Sequence, residues 1–145
     1  MLVYLDIDGV MIPVGQDPNI IPTAMSARLR TLLNATAAKL VISSHRRRSK
    51  DPLLALLAAA GFGVSDLAPF WSTDLNIPDL DDDHSIRGQE IACHVTRHEV
   101  RDYVILDDCP CLQAQASRQV QTIDRLGLVD ADVEAAIKIL NRLSI

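Results

Sequence analysis

Aromatic side chains are scarce in this 145-residue chain: one Trp, two Tyr and two Phe, 3% of the residues. That leaves few flat faces of the kind on which proteins stack single-stranded nucleic acid. Basic residues are outnumbered, 14 Lys and Arg against 19 Asp and Glu for a net charge of −5. Such a balance argues against a general duplex binder, whose affinity comes from many phosphate contacts. No apolar run approaches transmembrane length. The early run Leu2–Leu5 is too short for a secretory signal and has no basic segment before it. Cys93, Cys109 and Cys111 are an odd number and cannot all pair within one chain. Together these absences predict a reducing, cytoplasmic setting. Cys109-Pro110-Cys111 is at most half of a zinc site, because no second Cys or His pair stands at ligand spacing; free thiols are the expectation.

What is present is a large apolar fraction, 48%, enough for a packed core in one domain spanning residues 1–145. Five apolar runs read as strands: Leu2 to Leu5, Lys39 to Ser43, Leu67 to Trp71, Tyr103 to Leu106, and Val120 to Ile123. Helical spacing falls between and after them. Met25, Leu29, Leu32 and Leu33 mark a first helix over about Thr23 to Asn34, preceded by Pro22. A second covers about Asp51 to Ala60, with Pro52 in its first turn and Gly61 as its stop. A third covers about Arg87 to Glu99, and a fourth Asp130 to Leu143, with Val133, Ala136, Ile137 and Leu140 on one stripe. Strands alternating with helices predict an α/β fold: a parallel, Rossmann-like five-stranded sheet with helices on both faces.

In such sheets the sites lie beyond the carboxyl ends of the strands. The polar exceptions in this chain fall there. Asp6-Ile7-Asp8-Gly9-Val10 follows the first strand, Ser43 and Ser44 end the second, and Asp107 and Asp108 end the fourth. Ionised carboxylates next to a core are costly unless paired or bound to a cation. Four of them at one sheet edge, with hard oxygen donors, suit Mg²⁺. Beside a metal, Asp6 has the chemistry of a nucleophile toward phosphorus. Asp8, two residues on, is placed to give and take the proton. A serine hydroxyl can hold a phosphate oxygen, and a cation such as Arg87, opening the third helix, can balance phosphoryl charge.

Taken in order, Asp6-Ile7-Asp8-Gly9-Val10, Val41-Ile42-Ser43-Ser44, Arg87 and Ile105-Leu106-Asp107-Asp108 resemble the haloacid dehalogenase-like superfamily, its phosphatase branch in particular. Ser43-Ser44-His45-Arg46-Arg47 and Gln121-Thr122-Ile123-Asp124 with Gly127-Leu128 narrow the likeness. They resemble the small phosphatase domains of RNA repair enzymes and polynucleotide kinase–phosphatases. The resemblance spans essentially the whole chain. It implies Asp6 as nucleophile and Asp8 as general acid/base and backbone-carbonyl ligand. It implies Ser43 as a phosphate hydroxyl, Arg46 as a further phosphate contact, and Asp107 with Asp108 as the pair that holds Mg²⁺. The third motif usually supplies lysine; Arg87 keeps the charge but is bulkier and forked. Residues 11–38 and 72–86 leave no room for a cap domain, so the implied site is open to large substrates such as RNA or DNA ends.

Plainer readings stand beside these. Arg46-Arg47-Arg48 with Lys50 is a solvated face or a nucleic-acid contact. Asp81-Asp82-Asp83 reads as a solvated loop, His45 and His84 as surface residues, and Trp71 as packed near the end of its strand. The arginine at the lysine position keeps open a non-catalytic module that binds phosphorylated ends. A 2-haloacid dehalogenase is a further alternative, against which Asp8 argues because that chemistry needs no acid there.

Overall fold

The fold follows from five short strands whose side chains alternate between two apolar layers. A computed structural model describes residues 1–74 and 85–143. The strands are β1 (Leu2–Leu5), β2 (Lys39–Ile42), β3 (Leu67–Ser72), β4 (Tyr103–Asp107) and β5 (Gln119–Gln121). All pair in parallel, in the order β3-β2-β1-β4-β5. The helices are α1 (Thr23–Thr36), α2 (Lys50–Ala59), α3 (Ile86–Arg97) and α4 (Asp130–Leu143). The expected α/β, Rossmann-like architecture is present, without a large cap.

Connection handedness decides which helix covers which face. The chain steps outward from β1 to β2 to β3, then returns to β4 and continues to β5. Right-handed crossovers put helices of the outward steps on one face and that of the return step on the other. Val3, Leu5, Leu40, Ile42, Val104 and Leu106 accordingly pack with residues of α1, α2 and α4. Tyr4, Val41, Tyr103 and Ile105 face the other way, onto Ile91 and Val95 of α3. The carboxyl ends of β1 and β4, where the direction reverses, are the topological switch point, where α/β sheets open a crevice.

The helical stripes are buried as their spacing implies: Met25, Leu29, Leu32 and Leu33 in α1, and Val133, Ala136 and Leu140 in α4. The fifth strand begins and ends earlier than its apolar run. Thr122 N–H still donates to the Asp107 carbonyl at 3.0 Å and its hydroxyl to the Gly9 carbonyl at 2.8 Å, and Ile123 to Gly127 then form a tight turn. That turn braces the loop after β1. Leu128 N–H donates to the Val10 carbonyl at 2.8 Å and Val14 N–H to Asp124 at 2.9 Å. Gly127 sits at φ 66°, and a Cβ there would lie 2.8 Å from the Val10 carbonyl oxygen. Gly127→Ala is therefore expected to cost about 1–3 kcal/mol, from left-handed backbone plus the clash. A urea denaturation midpoint unchanged from wild type would refute the brace.

Among the described residues no helix is long and apolar enough to cross a membrane. Asp81-Asp82-Asp83 and His84 lie outside the described residues.

Candidate active site

Three strand ends align the polar residues in one row. Leu5 is in register with Ile42 on one side and Leu106 on the other. The ladder runs one residue further: Asp6 N–H donates to Leu106 and Ser43 N–H to Leu5, each at 3.0 Å. Ser43, Asp6 and Asp107 thus stand side by side across the sheet. Side chains alternate along a strand, so all three project to the face of Tyr4, Val41 and Ile105, the face α3 covers.

From α3, Arg87 reaches down onto this row. Ile91, one turn on, is fully buried against the sheet, and residues four apart share a helix face. The Arg87 Nη1 lies 2.6 Å from Asp107 Oδ2 and 3.1 Å from Asp6 Oδ1. Ser85 caps the helix by accepting the Gly88 N–H at 3.0 Å. A cation in a helix's first turn opposes the helix dipole; two carboxylates within hydrogen-bond reach offset that cost.

The row is electrostatically tense. Burial pushes Asp6 up to about 7, against the pull of Arg87 and with a further push from Asp107. Burial also raises Asp107, again against Arg87. The neighbouring Asp108 side chain pushes both of them further up. The Asp108 carboxylate lies over Gly9, where a Cβ would come within 2.4 Å of its Oδ2. Gly9, at φ 83°, therefore serves both the turn and the close approach of the two motifs.

Asp8 and Arg46 form the rim. Arg46 donates from Nε to Asp8 Oδ2 at 2.9 Å and from Nη2 to Oδ1 at 2.7 Å. This forked pair holds the Asp8 carboxyl below the usual carboxylate range. Ser43 is fully buried, and its Oγ has no hydrogen-bond partner. The Ser44 hydroxyl accepts the Arg46 N–H at 3.2 Å, capping a single 3₁₀ turn over His45–Arg48.

That turn corrects the reading of the basic run as one face. A 3₁₀ helix has three residues per turn, so consecutive side chains diverge by a third of a circle. Arg46 turns to Asp8, Arg48 stays exposed, and Arg47 is buried at 5% exposure. Arg47 donates to the carbonyls of Ser43, Ser44, Thr73 and Asp74 and forms an ion pair with Glu90 of α3. It clamps the ends of β2 and β3 to α3. Sequence reasoning missed it; the one signal available was Glu90, the lone acid of α3. Of the other sequence readings, His45 is exposed and Trp71 packs partly buried on the core.

The donors suit a hard cation. Asp6, Asp107 and Asp108 bring carboxylate oxygens to one place, and the orphaned Ser43 hydroxyl beside them needs an acceptor such as a phosphate oxygen. Among the described residues, one group holds its ligand atoms within 4.8 Å of one another: Asp107, Asp108 and Cys109. The cysteines are free thiols.

A family model described as the HAD domain in Swiss Army Knife RNA repair proteins matches residues 2–133. Among curated proteins and solved structures, none matches the chain.

Proposed function

The chain belongs to the family of HAD domains found in Swiss Army Knife RNA repair proteins, and from that membership and the site geometry we propose that it is a Mg²⁺-dependent phosphomonoesterase acting through an aspartyl-phosphate. One observation carries the reading: the in-register row of Ser43, Asp6 and Asp107, closed from above by Arg87.

Asp6 Oδ1 accepts from both the Ile7 N–H, at 2.9 Å, and Arg87. That leaves Oδ2 to attack phosphorus and form the acyl phosphate. Arg87 and the Ser43 hydroxyl then hold phosphoryl oxygens. Asp8 protonates the leaving oxygen and later takes the proton of the hydrolytic water. In the resting site Asp8 is ionised and pinned by Arg46, so the incoming phosphate must draw Arg46 away before Asp8 can carry a proton. Arg46 has the forked geometry to follow the phosphate. Asp6, Asp107 or Asp108 and the Asp8 carbonyl would hold Mg²⁺, which when bound would supply the charge that lets these carboxylates stay ionised together beside the phosphoryl group. The open site and the family's setting favour a phosphorylated RNA or DNA end as substrate. The test is a screen of end-phosphorylated oligonucleotides, small phosphate esters and p-nitrophenyl phosphate, with and without Mg²⁺. Phosphate release that is insensitive to chelation would overturn the reading.

A second reading has its own support. Arg87 lies where it neutralises both Asp6 and Asp107, which suits a module that binds phosphorylated ends without cleaving them. Binding of such an oligonucleotide with no phosphate release in Mg²⁺ would favour it.

The raised carboxyls give a pH prediction. Their folded values lie above the ordinary range, so the stability they contribute is full at low pH and is lost as pH rises past the ordinary carboxyl range, for Asp6 through about 7. Asp8, lowered, acts oppositely: its contribution holds above the ordinary carboxyl range and fades as pH falls. Mg²⁺ binds the ionised forms and removes the first penalty. The Mg²⁺-induced rise in melting temperature is expected to be larger at about pH 8 than at about pH 5. Equal shifts at both would count against the metal site.

A further inference from the structure

We infer that the cavity on the α3 face of β5, one strand from Asp107, is a nucleobase subsite, which makes the phosphate ester held at Asp6 a nucleotide. The inference rests on the phosphomonoesterase reading and names the substrate class of that same site. Asp107 is in register with Gln121 of β5, so Gln121 extends the row of Ser43, Asp6 and Asp107 by one strand. Neighbouring strands lie about 4.8 Å apart, which puts Gln121 about 10 Å from Asp6 along the row. Val120 packs into the layer of α1, α2 and α4, so Gln119 and Gln121 project the other way. There Ser85, Pro110, Leu112, Gln113, Gln119 and Gln121 border a cavity of about 870 Å³. That volume lies in the range of small-molecule sites, about 300–1,000 Å³. A phosphoryl group at Asp6 leaves the sugar to span the step past Asp107 and the base to enter the cavity.

The wall of this cavity is held in place by three glutamines. Gln119 donates from Nε2 to the Cys109 carbonyl at 2.7 Å, and its Oε1 accepts the Cys111 N–H at 2.9 Å. Buried Gln115 accepts the Leu112 N–H at 3.0 Å and donates to the Gly88 carbonyl of α3 at 2.9 Å. Gln121 donates from Nε2 to the Asp108 carbonyl at 3.2 Å. Gly88 lets the loop dock this closely, because a Cβ there would lie 2.7 Å from the Leu112 nitrogen and 2.9 Å from Gln115 Oε1. A wall fixed before the ligand arrives spares the entropy of ordering it on binding.

The lining chemistry selects the base. Among the described residues that line the cavity, none is Asp, Glu, Lys, Arg or His. Pro110, Leu112, Ala114 and Ala116 supply apolar surface for the faces of a flat ring. Gln113 and Gln121 supply amides, groups that both donate and accept, for its edge. A sugar phosphate without a base would leave the apolar surface uncovered. A phosphorylated peptide would bring charged side chains for which this lining has no partner.

The test compares kcat/KM in Mg²⁺ for adenosine 3′- and 5′-monophosphate, ribose 5-phosphate and a phosphoserine peptide. The better nucleotide is expected to exceed ribose 5-phosphate and the peptide at least about tenfold. Ala116 and Ala114 are exposed, so a larger side chain at either can enter the cavity without disturbing the core. Ala116→Trp should cut the ratio of nucleotide to ribose 5-phosphate below about threefold, and Ala116→Ser should preserve it. Ala114→Trp repeats the experiment should Ala116→Trp lose its melting transition. A ratio below tenfold in wild type, or one that stays above threefold in the folded Trp variant, overturns the inference. A peptide turned over as well as the nucleotide does the same. If no ester is hydrolysed, the phosphatase reading falls alone. The same ligands are then compared by calorimetric Kd, with the same thresholds deciding the subsite. A free nucleotide and a strand end both support the inference, and an end-phosphorylated trinucleotide run alongside tells them apart.

Discussion

Asp6→Asn is expected to lower Mg²⁺-dependent hydrolysis of p-nitrophenyl phosphate by at least about 10³-fold while the far-ultraviolet circular dichroism stays that of wild type. The amide has nearly the shape of the carboxylate. Its oxygen can still accept the Ile7 N–H and the Arg87 guanidinium, now at 2.9 and 3.1 Å from Oδ1. What it lacks is an anionic oxygen able to form an acyl phosphate. Folding and chemistry should therefore separate cleanly. The raised Asp6 value means that the fold disfavours its charge, chiefly through burial. Thermal stability of the metal-free variant near neutral pH should match or exceed that of wild type. Turnover within about tenfold of wild type would remove Asp6 from the role of nucleophile.

Arg47→Met should have the largest effect on stability, about 3–5 kcal/mol. Arg47 remains cationic at neutral pH, although burial pushes it down to about 10. Its removal strands Glu90, which is 3% exposed, and takes donors from four carbonyls on two strand ends. An uncompensated buried charge costs more than the pair contributes. The double variant Arg47→Met with Glu90→Met should thus recover a large part of the loss, a non-additivity measurable by urea denaturation of all four proteins. With a typical domain holding about 5–15 kcal/mol in total, the single variant stands close to unfolding. Purely additive losses would mean that Arg47 acts through its carbonyl contacts and not through Glu90.

These two residues also show what the sequence makes legible. Asp6 was readable because a carboxylate after an apolar run breaks a local pattern, and Asp107 breaks the same pattern at another strand end. Parallel strands of similar length bring such ends together. Arg87 was readable as a cation at a helix start, though its contact with both carboxylates depends on register and helix phase. Arg47 was not readable. Its burial depends on the carbonyls of Ser43 and Ser44 just beyond β2 and on those of Thr73 and Asp74, all of which converge only after the sheet has formed. The Asp8–Arg46 pair spans 38 positions and likewise leaves no local trace. Thr122 and Gly127 entered through a family likeness. Their physical reason, a brace for the loop carrying Gly9 and Val10, belongs to the three-dimensional structure.

The uneven placement of helices has a consequence for how this protein tolerates change. Among the described residues, α1, α2 and α4 share the labour of covering one side of the sheet, whereas α3 is the α-helix that both covers the other side and carries Arg87 and Glu90. A survey of all single substitutions, scored in parallel for abundance and for turnover, should divide along the sheet. On the α1, α2 and α4 side the two scores should fall together. On the α3 side many variants should remain abundant yet inactive, so adaptation to a new phosphorylated substrate has its accessible routes there.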